Sequence, residues 1–324
     1  MQLPTLTELE QAADRIYRTL SPTPQYNWPL LSQRMDAQIW IKHENHTPTG
    51  AFKVRGGLLY LGELCDKQRP IGVISATRGN HGQSVGYAAR QLGLPATIVV
   101  PHGNSRDKNA AMRALGVTLV EHGDDFQAAR EYASALAEKE GLHPIPAFHP
   151  TLVRGVASYG LEFLKALPQL DRVYVPVGQG SGLCAMIAAK AALSHPVEIV
   201  GVVSSHAPAY ALSFENHSLI SHPVSTEIAD GLACRVPDPQ AMEIIWSGAS
   251  RMVRVTDDEI ARAIRILFSD THNVAEGAGA AALAAALQEQ AGNIGRKIGI
   301  VLSGGNMDAA PFARVLSAHM ATEK

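Results

Sequence analysis

Apolar residues recur every third or fourth position near the start of the chain, at Leu9, Ala12, Ala13, Ile16, Tyr17 and Leu20. That spacing predicts an amphipathic helix over 5–20. Thr5 and Glu8 supply a capping-box pair at its start, and Ser21-Pro22-Thr23-Pro24 stops it. A short extended segment follows at 38–42, then a polar turn stiffened by Pro48, then a helix opening near Lys53. From Pro70 the pattern alternates. Apolar strands are predicted at 72–76, 96–100 and 118–121, with helices at 80–92, 106–115 and 124–140. Pro144, Pro146 and Pro150 mark the exit from this stretch. A second alternation predicts helices at 156–167 and 182–193 and strands at 173–177 and 198–203. The segment 206–234 mixes polarity with turn residues and is read as irregular. Thr256 and Glu259 form a second capping box for a helix to about residue 268. An Ala-rich helix at 278–290, a buried strand at 298–302 and a last helix at 308–319 complete the pattern. Strands each followed by a helix are βαβ units, which build parallel sheets covered by helices. The expected class is α/β, with a small domain at 70–150 set into a large one made of 1–69 plus 151–324.

A chain of 324 residues can bury a large core, and 46% hydrophobic with 18% charged residues is an ordinary globular balance. A net charge of −2 gives no electrostatic footprint for nucleic acid or an anionic membrane. Cys65, Cys184 and Cys234 lack CxxC spacing and suggest neither a disulfide framework nor a zinc ribbon. No apolar run approaches the ~20 residues that span a bilayer. The first ten residues carry no signal-peptide pattern, so a cytoplasmic protein is expected.

The candidate chemistry lies in four strand-to-helix junctions. In the stretch 42–57, a single lysine, Lys53, stands beside Phe52, with glycines at 50, 56 and 57. Desolvation there would lower its pKa and free its amine for a Schiff base, whereas an ordinary helix lysine would stay solvated and charged. Gly178-Gln179-Gly180-Ser181-Gly182-Leu183 joins an apolar strand to a helix N-terminus, where exposed N–H groups and the helix dipole suit a phosphate. Leu183 occupies the third position of the dinucleotide fingerprint, so G-x-G-x-x-G fails. Thr77-Arg78-Gly79-Asn80-His81 could be a plain helix cap with Asn80 at the N-cap. Ser303-Gly304-Gly305-Asn306 follows the last buried strand, where ligands of α/β proteins bind. His43 and His46 have the wrong spacing for a zinc helix motif, and no metal is expected.

Taken together, Pro48-Thr49-Gly50-Ala51-Phe52-Lys53-Val54-Arg55-Gly56 and the three other segments resemble the fold-type II pyridoxal phosphate enzymes, closest to their threonine/serine dehydratase branch. Ala51 stands where the family usually has Ser, Gln179 and Ser181 depart from its tetraglycine loop, and Gly277 replaces a proline beside Glu276. The resemblance implies a tryptophan synthase β-like fold. That is two open, twisted, mostly parallel sheets flanked by helices, with the cofactor between the domains. It makes Lys53 the lysine that carries pyridoxal 5'-phosphate, with Phe52 and Asn80 beside the ring and Gly178 to Leu183 on the phosphate. Ser303 would partner the ring nitrogen, with Gly304 and Glu276 near it. Thr77, Arg78, Gly79, Asn80 and His81 would form the substrate loop. Of these, Thr77 and the backbone N–H groups of 79–81 would hold the substrate carboxylate, and Asn80 would hydrogen-bond the ring hydroxyl. Arg78 would either pair with an acidic substrate or face solvent. Arg78 stands where racemases of the family carry a second-face serine, which argues against racemisation as the main activity. The segment Ile228-Ala229-Asp230-Gly231 also matches the family and is read as structural, while the family's cation-binding glutamate is missing from 202–205.

The implied activity is β-elimination of a β-hydroxy amino acid, L-threonine or L-serine first, to a 2-oxo acid and ammonia. Threo-3-hydroxyaspartate, an aryl-serine and racemisation are the alternatives. The partners implied are the small amino-acid substrate and further copies of the chain, a homodimer first. No regulatory extension follows the last motif, so feedback control of the biosynthetic type is not expected.

Overall fold

The two alternations close into two separate sheets. The computed structural model describes residues 3–320; residues 1 and 324, the outer bounds of the expected large domain, and the first two residues of the signal-peptide reading lie outside them. The elements are α1 (Leu6–Tyr17), β1 (Gln25–Asn27), α2 (Pro29–Met35), β2 (Gln38–His43), α3 (Lys53–Lys67), β3 (Val73–Ala76), α4 (Asn80–Gln91), β4 (Ala96–Val100), α5 (Arg106–Ala114), β5 (Thr118–Glu121), α6 (Phe126–Glu140) and β6 (His143–Pro144). They continue as α7 (Pro150–Ala166), β7 (Arg172–Pro176), α8 (Ser181–Leu193), β8 (Glu198–Ser204), α9 (Ala209–Asn216), α10 (Pro239–Gly248), β9 (Arg251–Val255), α11 (Asp257–Thr271), α12 (Gly277–Gln288), α13 (Gln290–Asn293), β10 (Lys297–Leu302) and α14 (Ala309–Met320).

The larger sheet has the order β1-β2-β10-β7-β8-β9, parallel except for the antiparallel edge pair β1–β2. The smaller, all-parallel sheet runs β5-β4-β3-β6. Alternate side chains point to opposite faces of a strand, so a strand covered on both sides is apolar throughout. Val173, Val175 and Val177 of the β7 strand and the turn after it join the core with Leu183 and Met186 of α8 and Val156 of α7. Tyr174, between them, joins Ile39, Ile298 and Ile300 in the core under α11 and α12. In the smaller sheet, Val73 and Ile98 pack with Val85 of α4 and Leu61 of α3, while Ile74 and Val99 face Ala129 and Ala133 of α6. No helix among the described residues is long and apolar enough to cross a membrane.

Both capping boxes form, at Thr5–Glu8 and Thr256–Glu259. Three departures from the sequence pattern involve proline. Pro150, read as an exit mark, is the first residue of α7, which therefore begins well before residue 156; the His149 ring caps it by accepting from Thr151 N–H at 3.1 Å. Pro29 and Pro239 likewise open helices that the pattern did not give. The missing N–H of proline costs nothing in a first turn, whose N–H groups have no intrahelical acceptor anyway. The segment 206–234 contains α9, and β9 adds an edge strand whose arginines weaken its apolar signal; Arg251 spends its charge on Glu198 and Glu289.

Candidate active site

All four junctions follow the carboxyl ends of strands: 44–52 after β2, 77–79 after β3, 177–180 after β7 and 303–306 after β10. Because β2 and β10 are hydrogen-bonded neighbours, the lysine segment and the Ser303 turn are laid side by side. Phe52 N–H donates to Ser303 O at 3.0 Å, Gly305 N–H donates to Gly50 O at 2.9 Å, and Ala51 pairs with Gly304 in an antiparallel bridge. Lys53 then opens α3, with its Nζ 4.9 Å from the centroid of the Phe52 ring. Surrounding protein draws the Lys53 ammonium pKa down to about 8, with the negative charge of Glu276 opposing the drop. Ser84 Oγ donates to Lys53 O at 2.6 Å and ties α3 to α4.

The Gly-rich turn after β7 keeps its glycines for two different reasons. Gly180 has φ +90°, and a Cβ there would stand 2.9 Å from the Ala241 methyl; at Gly178 a Cβ would strike Gly231 O. Tyr210 braces the turn from behind, its hydroxyl donating to Gln179 O at 2.9 Å and accepting from Asp238 N–H at 3.0 Å. The backbone N–H groups of residues 178–183 meet no acceptor among the described residues. They sit at the N-terminus of the 13-residue α8, where the dipole favours an anion. The Phe52 ring lies 3.5 Å from where a Cβ on Gly182 would be, so this cradle flanks the lysine.

In the third junction the structure departs from the helix-cap reading. Gly79, not Asn80, is the N-cap of α4, and its N–H donates to Thr77 Oγ1 at 3.0 Å. Asn80 turns inward. Its amide donates to Glu276 Oε1 at 2.6 Å, and its carbonyl accepts from Asn306 at 2.8 Å; the same Asn306 amide reaches Thr49 O at 2.8 Å. His81 is buried with Nε2 unpartnered, and burial together with nearby Lys53 takes its pKa down to about 3, so the ring is neutral. Arg78 is exposed and makes no hydrogen bond or ion pair among the described residues, unlike its neighbours Thr77 and Gly79.

Glu276 N–H donates to Gly304 O at 3.2 Å, and its side chain fills the space a Cβ on Gly304 would need. Burial raises the Glu276 pKa to about 6 against the pull of Lys108. Lys108 Nζ lies 3.6 Å from Glu276 Oε2 and 2.6 Å from Asp230 Oδ2. Lys108 is not marked by the sequence pattern, Asn306 enters it only as the end of the Ser303 turn with no role of its own, and Asp230, read as structural, lies against this cluster. A second group that pattern alone missed frames the lysine from below. Arg55, fully buried, donates to Glu44, Glu162, Ser158 and Thr23, and Lys42 donates to Glu162 at 2.5 Å.

The set fits pyridoxal phosphate on its own chemistry. An amine of lowered pKa suits an aldehyde, and six unaccepted N–H groups suit a dianionic phosphate. Glu276 Oε2 is buried without a hydrogen-bond partner, and the buried Ser303 hydroxyl makes none either among the described residues. The comparisons agree. Residues 16–304 match the family described as "Pyridoxal-phosphate dependent enzyme". The L-threonine ammonia-lyase of Thermotoga maritima is 32% identical over 97% of this chain and 78% of its own. The L-threo-3-hydroxyaspartate ammonia-lyase of Saccharomyces cerevisiae is 31% identical over 98% of both chains. The processed threonine deaminase isoform 2 of Solanum lycopersicum superposes with a TM-score of 0.89 at 29% identity, over 98% of this chain and 96% of that one. With its motifs at the strand ends of two parallel sheets, and with relatives matched along nearly its whole length, this chain belongs to the fold-type II pyridoxal-phosphate-dependent enzymes.

Proposed function

We propose that the enzyme is an ammonia-lyase that removes water from a β-hydroxy amino acid, L-threonine or L-serine first, and yields a 2-oxo acid and ammonia. The observation that carries the reading is that the β2–β10 pairing lays the buried Lys53, its ammonium pKa lowered to about 8 by that burial, beside the turn that carries the neutral hydroxyl of Ser303. Pyridoxal phosphate, when bound, supplies the electron sink that stabilises negative charge at the substrate Cα. Gly178 to Leu183 hold its phosphate through backbone N–H groups, with Phe52, Asn80, Gly304 and Glu276 around the ring. Thr77, Arg78, Gly79, Asn80 and His81 form the substrate carboxylate loop. Lys53 takes the Cα proton on Nζ, which a group of pKa near 8 does well at neutral pH. Ser303 would offer the ring nitrogen a neutral hydroxyl, which would make the ring a weaker electron sink than a carboxylate partner would and so favour loss of the β-hydroxyl. The hydroxyl leaves as water once protonated, its proton balanced by the one Lys53 Nζ took from Cα, and the released enamine consumes one water as it hydrolyses to the 2-oxo acid and ammonia. The same reading takes 70–150, which holds all four strands of the smaller sheet, as the small domain, and a cytoplasmic homodimer as the working form.

The test is a visible spectrum of the purified protein followed by assay of L-threonine for 2-oxobutanoate and ammonia. A cofactor band with product is expected. A band without product would transfer the reading to another amino acid, and the absence of a band after added cofactor would overturn it.

One observation favours a second substrate. Arg78 is exposed and has no hydrogen bond or ion pair among the described residues, and the yeast relative is named for threo-3-hydroxyaspartate, which carries a second carboxylate. If Arg78 meets that group, Arg78→Ala lowers kcat/KM for hydroxyaspartate by roughly ten- to a hundredfold while leaving threonine within about twofold. Equal losses on both substrates would return Arg78 to a solvated role.

A further inference from the structure

Lys108 is not a solvated lysine. It is nine-tenths buried, and it comes from α5 of the smaller sheet's layer to two carboxylates of the other layer, Asp230 at 2.6 Å and Glu276 at 3.6 Å. Its stem lies against Gly79, where a Cβ would stand 2.5 Å from Lys108 Cδ. A side chain at 79 would therefore displace the lysine from this path. Two further contacts dock α5 on the same layer: Ser105 Oγ donates to Asp308, and Ala309 N–H donates to Asp107 at 3.2 Å. Glu276 has one oxygen satisfied by Asn80 and the other buried without a hydrogen bond among the described residues, with Lys108 Nζ 3.6 Å from it as its nearest cation contact.

We propose that Lys108 is a positioning residue that keeps Glu276 in its carboxylate form and so holds Asn80 in place, linking the seating of the smaller layer to the charge state of the site. The groups facing Glu276 are Lys53 from α3, Asn80 from α4, Lys108 from α5 and Asp230 from the 230–232 turn, with Asp308 also acting on Lys108. Of these, Lys108 favours the charged carboxylate and Asp230 opposes it. Against its own burial, Lys108 is in turn kept charged by Glu276 and Asp230. The inference rests on the assignment of Asn80 and Glu276 to the cofactor pocket, but not on which amino acid is the substrate.

The test is a difference-infrared titration of the full-length holoprotein, with Glu276→Gln identifying the carboxyl band. Lys108→Met should raise the Glu276 midpoint by about one unit or more, since a cation within ~4–6 Å shifts a carboxyl by about that much. Asp230→Asn, an isosteric change at a partly exposed position, should move it the other way, because it removes a like charge and frees Lys108 for Glu276. Lys108→Arg should leave the midpoint nearly unchanged. The activity profile should follow, with the acid limb shifting up in Lys108→Met and down in Asp230→Asn. Midpoints that stay put, or that move in the same direction in both variants, overturn the proposal whatever substrate the enzyme prefers.

Discussion

Lys53→Ala should abolish turnover, with kcat falling by on the order of 10⁴-fold or more, since a positioned general base alone contributes about 10²–10⁴ and this residue also anchors the cofactor. The loss should be chemical rather than structural. In the cofactor-free protein Lys53 contributes an unfavourable burial of charge, so its removal there should leave the denaturation midpoint unchanged or higher at neutral pH. The sign follows from linkage. With the pKa lowered from 10.5 to about 8, the unfolded chain binds more protons than the folded one between those values, and the wild type gains stability as pH rises through that window. Lys53→Ala should lack that rise. The measurements are steady-state assay and the visible spectrum of the loaded protein, and urea denaturation of the cofactor-free protein at pH 7 and pH 9.5. A small primary amine added to the variant should restore a trace of activity by supplying the missing base. A variant with normal turnover would remove Lys53 from the mechanism.

How much of this was legible in the sequence depended on the range of the interactions. Local signals translated directly. The capping boxes at Thr5 and Thr256 need only residues three apart, and the strands at 96–100 and 118–121 are short apolar runs bounded by turns. The four junctions were visible because each packs unusual chemistry into a few consecutive residues. What stayed hidden depended on partners far along the chain. Nothing near Lys108 in sequence announces that it will meet Asp230 and Glu276, 122 and 168 residues further on. Asp230 sat inside a recognised segment, yet its use became plain only once the 230–232 turn was placed against α5. Proline misled for a related reason. Pro150 breaks a helix that precedes it and starts one that follows, and only the His149 cap decides between the two.

The second large effect belongs to Arg55, two residues beyond the lysine. Arg55→Met should cost about 3–5 kcal/mol of stability, because removing one partner of a buried ionic group leaves the others uncompensated. Intact, the group holds two cations, Arg55 and Lys42, against two carboxylates, Glu44 and Glu162. Against the penalty of burial, Arg55 and Lys42 hold the Glu162 carboxyl below its ordinary range. Without Arg55, Lys42 hydrogen-bonds Glu162 but not Glu44, and Glu44 is left with the Thr23 hydroxyl in a fully buried site. Arg55→Lys should recover only part of the loss, since one ammonium cannot reproduce the fork that bonds Glu44 through Nε and Nη2 and Glu162 through Nη1. The cofactor should feel the change as well, because the network ties the turn after β2 and helix α7 to the first turn of α3, which carries Lys53. Weaker retention of pyridoxal phosphate on dialysis is therefore expected alongside the lowered urea midpoint. The discriminating variant is Arg55→Met with Glu44→Gln, which leaves Lys42 and Glu162 as a neutral pair. It should be clearly more stable than the sum of the two single losses predicts, by about 1–3 kcal/mol of coupling. Simple additivity would mean that Arg55 acts through packing alone, and that the position of Lys53 is set by the β2–β10 pairing without help from the charges beneath it.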